Sequence, residues 1–347
     1  MPMILGVKLK ITLKDIAAEA GVSRATVDRV LNGRGKVSQY TIDRVNQAVE
    51  KFNNRLTPTS ASHVTTSYNF DFIFPTRHSR LLDFYSRQIN AIHQICGLND
   101  VNVRIHRVEA FQPQLLADKL LEVAQDSHGI AFVALEHPLV RDAVDTVINQ
   151  NVNVITLVND ISGTDRHAYI GIDNRAAGRT AAHIMGRFLG KNAQGKIGLF
   201  IGSHAYLGHE ERESGFRSLL RAQYPNLQII EMPEVLDNDD NAQQIFIESL
   251  KGTKDLLGIY NIGGGTEGIA QALKSLNMEH ECVFIAHELF EHTRAHLVTG
   301  TIDAIINQDL ALEADNAIKI LRSRIENNSI INLPKPKVEV YFPENIT

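Results

Sequence analysis

Leu13-Lys14-Asp15-Ile16-Ala17-Ala18-Glu19-Ala20-Gly21-Val22-Ser23-Arg24-Ala25-Thr26-Val27-Asp28-Arg29-Val30-Leu31-Asn32 decides the architecture of the N-terminal part of this chain. Thr12 stands before it as a helix cap, with Asp15 three residues on to answer it, and Leu13, Ile16, Ala17 and Ala20 share one face. Gly21 breaks that helix. Ser23 caps a second one, in which Val27, Val30 and Leu31 point inward while Arg24, Ala25, Asp28, Arg29 and Asn32 point out. Asn32-Gly33-Arg34-Gly35 ends it, and Ser38 caps a third helix with Ile42, Val45, Val49 and Phe52 as its buried stripe. Two short helices around a glycine turn, the second with a free polar N-terminal face, describe a helix-turn-helix, which lays its second helix in the DNA major groove.

Charge supports that division. Residues 1–57 hold ten Lys and Arg against five Asp and Glu, a net +5, whereas the remainder holds 25 against 35, a net -10. A basic head on an acidic body predicts that the head alone touches a polyanion.

The chain has 347 residues, 44% of them hydrophobic, enough for two or three packed domains. No run reaches the ~18 uninterrupted apolar residues of a membrane helix, and Met3-Ile4-Leu5-Gly6-Val7 is too short for a signal-peptide core. A cytoplasmic protein with no membrane partner is expected. Cys96 and Cys282 form neither a disulfide framework nor a zinc knuckle.

From Tyr68 onward short apolar runs alternate with amphipathic stretches. The runs are Phe70 to Phe74, Val101 to Ile105, Ile130 to Leu135, Val152 to Val158, Ile197 to Ile201, Leu227 to Ile230, Leu256 to Tyr260, Cys282 to Ala286 and Ile302 to Ile306. This alternation predicts parallel, doubly wound α/β sheets, and the length predicts two such lobes with a cleft. Ligands of these sheets sit beyond the carboxyl ends of the strands. The residues there are Arg77, His78, Glu136, His137, Asn159, Asp160, Asp173, His204, Tyr206, Asn261, His287, Glu288 and Gln308, with Arg212 opening the helix after the Ile197 run. Convergent donors and acceptors beside aromatic rings suit a small polyhydroxylated molecule.

The order of the head residues strongly resembles the DNA-binding head of the lactose-repressor (LacI/GalR) family. The resemblance implies that Arg24 and Ala25 face base edges, Arg24 favouring guanine, and that Ser23, Thr26, Arg29 and Asn32 serve phosphate and groove contacts. Thr12, Leu13, Lys36 and Ser38 complete the candidate DNA-binding set. Asp28 replaces the family's usual small hydroxyl residue, where a carboxylate repels phosphate unless it orients Arg24 or Arg29. After the third helix the family has an aromatic, a Pro-Asn pair and a leucine-bearing hinge helix. Here the chain reads Phe52-Asn53-Asn54-Arg55-Leu56-Thr57-Pro58, which reads equally as a flexible tether.

The body resembles the type I periplasmic sugar-binding fold that serves this family as effector domain. The supporting stretches are Tyr169-Ile170-Gly171-Ile172-Asp173-Asn174 with Ala177-Gly178, Arg212-Glu213-Ser214-Gly215-Phe216, and Ile285-Ala286-His287-Glu288. The resemblance implies that Arg212 binds effector and that Glu288 stands where an aspartate is common; His287 replaces a frequent tyrosine.

The expected fold is therefore a small all-α helix-turn-helix head plus α/β, two doubly wound parallel-sheet lobes. The head spans 10–57, a linker 58–67 and the body 68–347. Lobe one is expected at about 68–162 plus 291–324, lobe two at about 163–290 plus 325–347. The candidate effector set is Arg77, His78, Glu136, His137, Asp160, Tyr206, Arg212, Asn261, His287, Glu288 and Gln308. The partners expected are a pseudo-palindromic double-stranded DNA operator, a sugar-like effector and a second copy of the chain, since one small head neutralises too few phosphates for tight specific binding.

Rival motifs fail. Gly190-Lys191-Asn192-Ala193-Gln194-Gly195-Lys196-Ile197 has phosphate-loop spacing, but Ile replaces the magnesium-binding hydroxyl and a helix precedes where a strand should. His287-Glu288-Leu289-Phe290-Glu291-His292 misses the zincin spacing by one, and His292 and His296 lie four apart on what reads as a solvated helix face. No metal, cofactor or catalytic residue is expected. A free solute-binding protein or a sugar-acting enzyme using the same cleft are the alternatives, the first opposed by the head and the second by the lack of a catalytic motif.

Overall fold

The computed structural model describes residues 13–31, positions 41, 44, 45 and 48, and residues 67–76, 79–95, 100–327 and 333–346. Thr12, Asn32, Lys36, Ser38, Arg77, His78 and the linker around Pro58 lie outside the described residues, as do the side chains of Leu13 and Arg29. The chain divides into two compact units, Met1–Thr65 and Thr66–Thr347.

In the first unit α1 (Leu13–Ala20) and α2 (Arg24–Leu31) are joined by Gly21-Val22 and Ser23. Gly21 has φ +60, the left-handed conformation that ends a helix cheaply only at glycine, and Val22 N–H closes the turn on the Ala17 carbonyl at 3.0 Å. Ile16, Ala17, Ala20 and Val27 are buried together with Val45 and Ala48, two helical positions of the segment that follows. Ser23 Oγ accepts from Thr26 N–H at 3.1 Å, the cap expected of it.

The second unit holds two sheets. The first comprises β1 (Tyr68–Pro75), β2 (Val101–Val108), β3 (Gly129–Phe132), β4 (Asn153–Leu157) and β5 (Ala168–Ile170), all parallel, in the order β2-β1-β3-β4-β5. Helices α3 (Ser79–Ile95), α4 (Pro113–Val123) and α5 (Pro138–Asn149) connect its strands. Phe70, Phe72, Ile73 and Phe74 are all buried although alternate residues point to opposite faces, because helices cover both sides.

The second sheet comprises β6 (Gly195–Phe200), β7 (Leu227–Glu231), β8 (Leu256–Asn261), β9 (Val283–His287), β10 (Ala304–Asn307) and β11 (Glu339–Tyr341) in the order β11-β10-β9-β8-β6-β7, with only β11 antiparallel. Its helices are α6 (Asn174–Leu189), α7 (Leu207–Gln223), α8 (Asp239–Leu250), α9 (Thr266–Ser275) and α10 (Glu291–Val298). A last helix, α11 (Leu310–Asn327), returns to the first lobe, where Leu310, Ala314, Ala317, Ile318 and Leu321 join the core of the first sheet.

The strand runs expected from Tyr68 onward all find strands. Two further strands, β5 and β11, are three residues each and too short to show as apolar runs. The lobe boundaries differ from the expected ones. β5 pairs with β4, so the first crossing follows Ile170 and does not lie near 162. Strand β10 pairs with β9, so the second crossing lies at Gln308–Asp309 and α10 belongs to the second lobe. Edge pairing, which apolar periodicity does not encode, fixes both points. Among the described residues no helix is long and apolar enough to cross a membrane.

Candidate functional site

The carboxyl ends of the two sheets face a cleft of about 250 Å³, near the small end of ligand pockets, lined by Pro75, Val133, Val158 and Asn159 from the first lobe and by Tyr206, His209, Arg212, Asp237, Asp239, Gly263 to Thr266, His287, Glu288, Phe290, His292 and Thr293 from the second. Bonds cross from lobe to lobe beside it. Asn159 Oδ1 accepts from Gly208 N–H at 3.1 Å, and Glu136 N–H donates to the Ala205 carbonyl at 2.9 Å. Tyr206 follows β6 in sequence yet its ring packs with Phe111 in the first lobe's core.

Arg212 is placed by an unusually close helix pair. A Cβ on Gly178 of α6 would overlap the Arg212 carbonyl, and one on Gly215 of α7 would overlap the Arg175 carbonyl, so glycine at both crossings lets the backbones touch. The buried guanidinium then donates from Nε to Asn174 Oδ1 at 2.8 Å and from Nη1 to the Ile262 carbonyl at 3.0 Å, which leaves Nη2 3.8 Å from Glu288 Oε1. Asn174 is itself held by its Nδ2 donating to the Tyr169 hydroxyl at 3.1 Å. Two of the guanidinium's bonds thus aim the third nitrogen at the cleft.

Glu288 follows β9 with φ +68, and its Oε1 accepts from Gln308 Nε2 at 2.7 Å while Oε2 is buried without a partner. Burial pushes its carboxyl up, opposed by Arg212 and by the Gln308 amide. His287, just before it, is 3% exposed; burial and the nearby Arg212 hold its imidazole well below the usual value, so the ring is neutral. Its Nε2 shares a 2.8 Å hydrogen bond with the Tyr260 hydroxyl, and Nδ1 is buried without a partner. Opposite, Val158 follows β4 with φ +62, a conformation β-branched residues rarely adopt and that costs on the order of 1–3 kcal/mol. Strained residues thus face the cleft from both lobes.

Residues 119–329 match the periplasmic binding protein domain, and residues 12–55 match the lacI family of bacterial regulatory proteins. The chain belongs to the periplasmic binding protein domain family and carries a lacI-family head. It is 27% identical over 224 residues to catabolite control protein A of Staphylococcus aureus, covering 61% of this chain and 62% of that relative, so the match spans less than two thirds of the relative's length. Over 40 residues, 12% of each chain, it is 62% identical to the HTH-type transcriptional regulator AscG of Escherichia coli. Its fold is shared with GanP, a glucose-galactose binding protein from Geobacillus stearothermophilus, at a TM-score of 0.73 and 18% identity, covering 81% of this chain and 99% of GanP.

Within this periplasmic binding protein body, Tyr206, Arg212, His287 and Glu288 line the cleft as the sequence placed them. Gln308 and Asn261 stand behind the lining. Gln308 holds Glu288, and Asn261 Nδ2 donates to the Gly263 and Gly264 carbonyls and to Thr266 Oγ1, so it shapes the loop that lines the cleft. Glu136, His137 and Asp160 are not brought to the cleft. Glu136 pairs with Arg141 and Ser162, His137 Nδ1 accepts from Leu139 N–H as the cap of α5, and Asp160 pairs with Arg166 and Thr156. Asp173 caps α6, and His204 lies between Glu234 and Glu213. His292 lines the cleft rather than a solvated face, and His296 Nε2 pairs with Glu267.

Sequence reasoning missed Asp237, Asp239 and Phe290 as lining residues. Asp237 and Asp239 lie beyond the end of β7, a strand whose following loop contributed nothing to the strand-end set.

In the lacI-family head Ser23, which caps α2, is exposed, as are Arg24 and Ala25 on the helix's first turn, with Thr26 half-exposed. This is the face a helix-turn-helix turns to base edges.

Proposed function

We propose that the chain is a sequence-specific DNA-binding transcriptional regulator, a repressor, whose operator affinity is set by a sugar-like molecule bound between the two lobes of its body. One observation carries the reading: a lacI-family head with an exposed first turn of α2 shares a chain with a cleft in which Arg212 is held by Asn174 and Ile262 and aimed inward. Arg24 reads guanine in each half-site, supported by Ala25 beside it, while Ser23, Thr26 and Arg29 meet the backbone. Two copies are needed, one head per half of a pseudo-palindromic operator, and the work is done in the cytoplasm where that DNA is.

In the cleft Arg212, Glu288 and His287 hydrogen-bond ligand hydroxyls, and Tyr206 and Phe290 supply apolar contact. A ligand that prefers one closure of the lobes shifts operator affinity by its differential affinity for the two states. Operator selection from random-sequence DNA by the purified full chain, followed by titration of the selected duplex with pentoses and hexoses, tests both halves. A palindromic consensus whose occupancy changes with one sugar is expected. Sequence-independent binding would remove the regulator reading.

A further inference from the structure

We infer that Asp237 makes this cleft reject anionic effectors, so that its ligand is an uncharged polyol and neither a sugar phosphate nor a sugar acid. The inference rests on the reading of the cleft as an effector site and narrows what that site takes.

Gly263-Gly264-Gly265 leads into α9, with Gly265 at φ +88. A glycine-rich turn at a helix N-terminus, its N–H groups free and the helix dipole behind it, is an anion seat. Here the protein fills the seat with its own carboxylate. Asp237 Oδ1 accepts from Gly264 N–H at 2.6 Å, and a Cβ on Gly202 or Gly263 would overlap that oxygen. The segment carrying Asp237 is anchored to the end of β6, by Val235 N–H on the Ile201 carbonyl at 3.0 Å and Leu236 N–H on the Gly202 carbonyl at 2.8 Å.

The rest of the lining agrees. Asp239 accepts from Gly268 N–H on the first turn of α9, and Glu288 faces the same space. Arg212 is the single Lys or Arg among the described lining residues, and two of its nitrogens are already committed to Asn174 and Ile262. Beside Arg212 Nη2, the unpartnered Glu288 Oε2 and His287 Nδ1 are hydrogen-bonding atoms suited to hydroxyls.

The test is calorimetric titration of the full-length protein with glucose, galactose, arabinose and ribose, their phosphates and their aldonic acids, at low salt. At least one neutral sugar binds, and its phosphate and acid bind at least ~100-fold more weakly, as like-charge juxtaposition demands. In Asp237→Asn, which keeps an oxygen for Gly264 N–H but loses the charge, that ratio narrows at least ~10-fold, whatever the affinity for the neutral sugar becomes. A phosphate or acid that binds wild type as tightly as its parent sugar overturns the inference and leaves the effector-site reading standing. An unchanged ratio in folded Asp237→Asn, or in Asp239→Asn should the first variant fail to fold, also overturns it. Silence across the whole panel removes the effector-site reading and the inference with it.

Discussion

The Tyr85 hydroxyl donates to Glu313 Oε2 in the core of the first lobe, joining α3 to α11 across 228 residues of sequence. Both side chains are fully buried, and Glu313 Oε1 has no partner there. The bond fastens the helix that returns from the second lobe to the lobe in which the body began.

That buried carboxyl predicts a pH dependence. Burial pushes Glu313 well above its ordinary value of 4.5; Tyr85 pulls it down, while Glu288 and Asp309 push it further up. The folded protein therefore keeps a proton that the unfolded chain releases. The stability this carries is complete below about pH 4.5 and is lost as pH rises through the folded value. Glu313→Gln keeps an acceptor for Tyr85 and removes the charge. It should match wild type in urea near pH 4.5 and exceed it at pH 8 by about 1–3 kcal/mol. A variant less stable than wild type at pH 8 would show that the ionised carboxylate is the stabilising form.

Arg212→Ala should abolish sugar binding and also weaken the body, because it strands Asn174 Oδ1 and the Ile262 carbonyl in a buried place. Each unsatisfied group costs about 1–3 kcal/mol, so a loss of about 2–5 kcal/mol in urea unfolding is expected. Asn174→Ala frees only Nε and should lower sugar affinity with a smaller loss of stability. Unaltered affinity in Asn174→Ala would mean that Arg212 needs no aiming.

The layered α/β body was legible because parallel strands buried on both faces leave continuous apolar runs, as Phe70 to Phe74 does. Arg212, His287 and Glu288 were legible as strand-end or helix-start polar residues. Glu136, His137 and Asp160 meet the same criterion, yet Arg141, the Leu139 N–H and Arg166 take up their polar atoms. Local sequence does not distinguish a side chain spent on its own loop from one turned to the cleft. Asp237 escaped for the opposite reason: five residues separate it from β7, and its partner Gly264 is 27 residues further on.

Gly178→Ala should destabilise the body although alanine is the better helix former by roughly 1 kcal/mol. The added Cβ would overlap the Arg212 carbonyl, a backbone atom with no rotamer to change, so α6 and α7 must separate. A net loss of about 1–3 kcal/mol is expected, with weaker sugar binding as Arg212 shifts. Equal or higher stability of Gly178→Ala would show that the helix pair yields easily and that glycine is not required at the crossing.

Arg24→Ala and Ser23→Ala should separate base reading from helix placement. Arg24 is exposed at the start of α2, and with the base-reading role proposed for it, its loss should cost about 1–3 kcal/mol at one base pair of each half-site and leave the other positions unchanged. Ser23 caps α2 through its bond from Thr26 N–H at 3.1 Å. Removing that cap costs about 0.5–2 kcal/mol of helix stability and should weaken binding evenly across all operator variants. A panel of single-base operator substitutions measured against both variants distinguishes them. An even loss in Arg24→Ala would reassign that residue to the phosphate backbone.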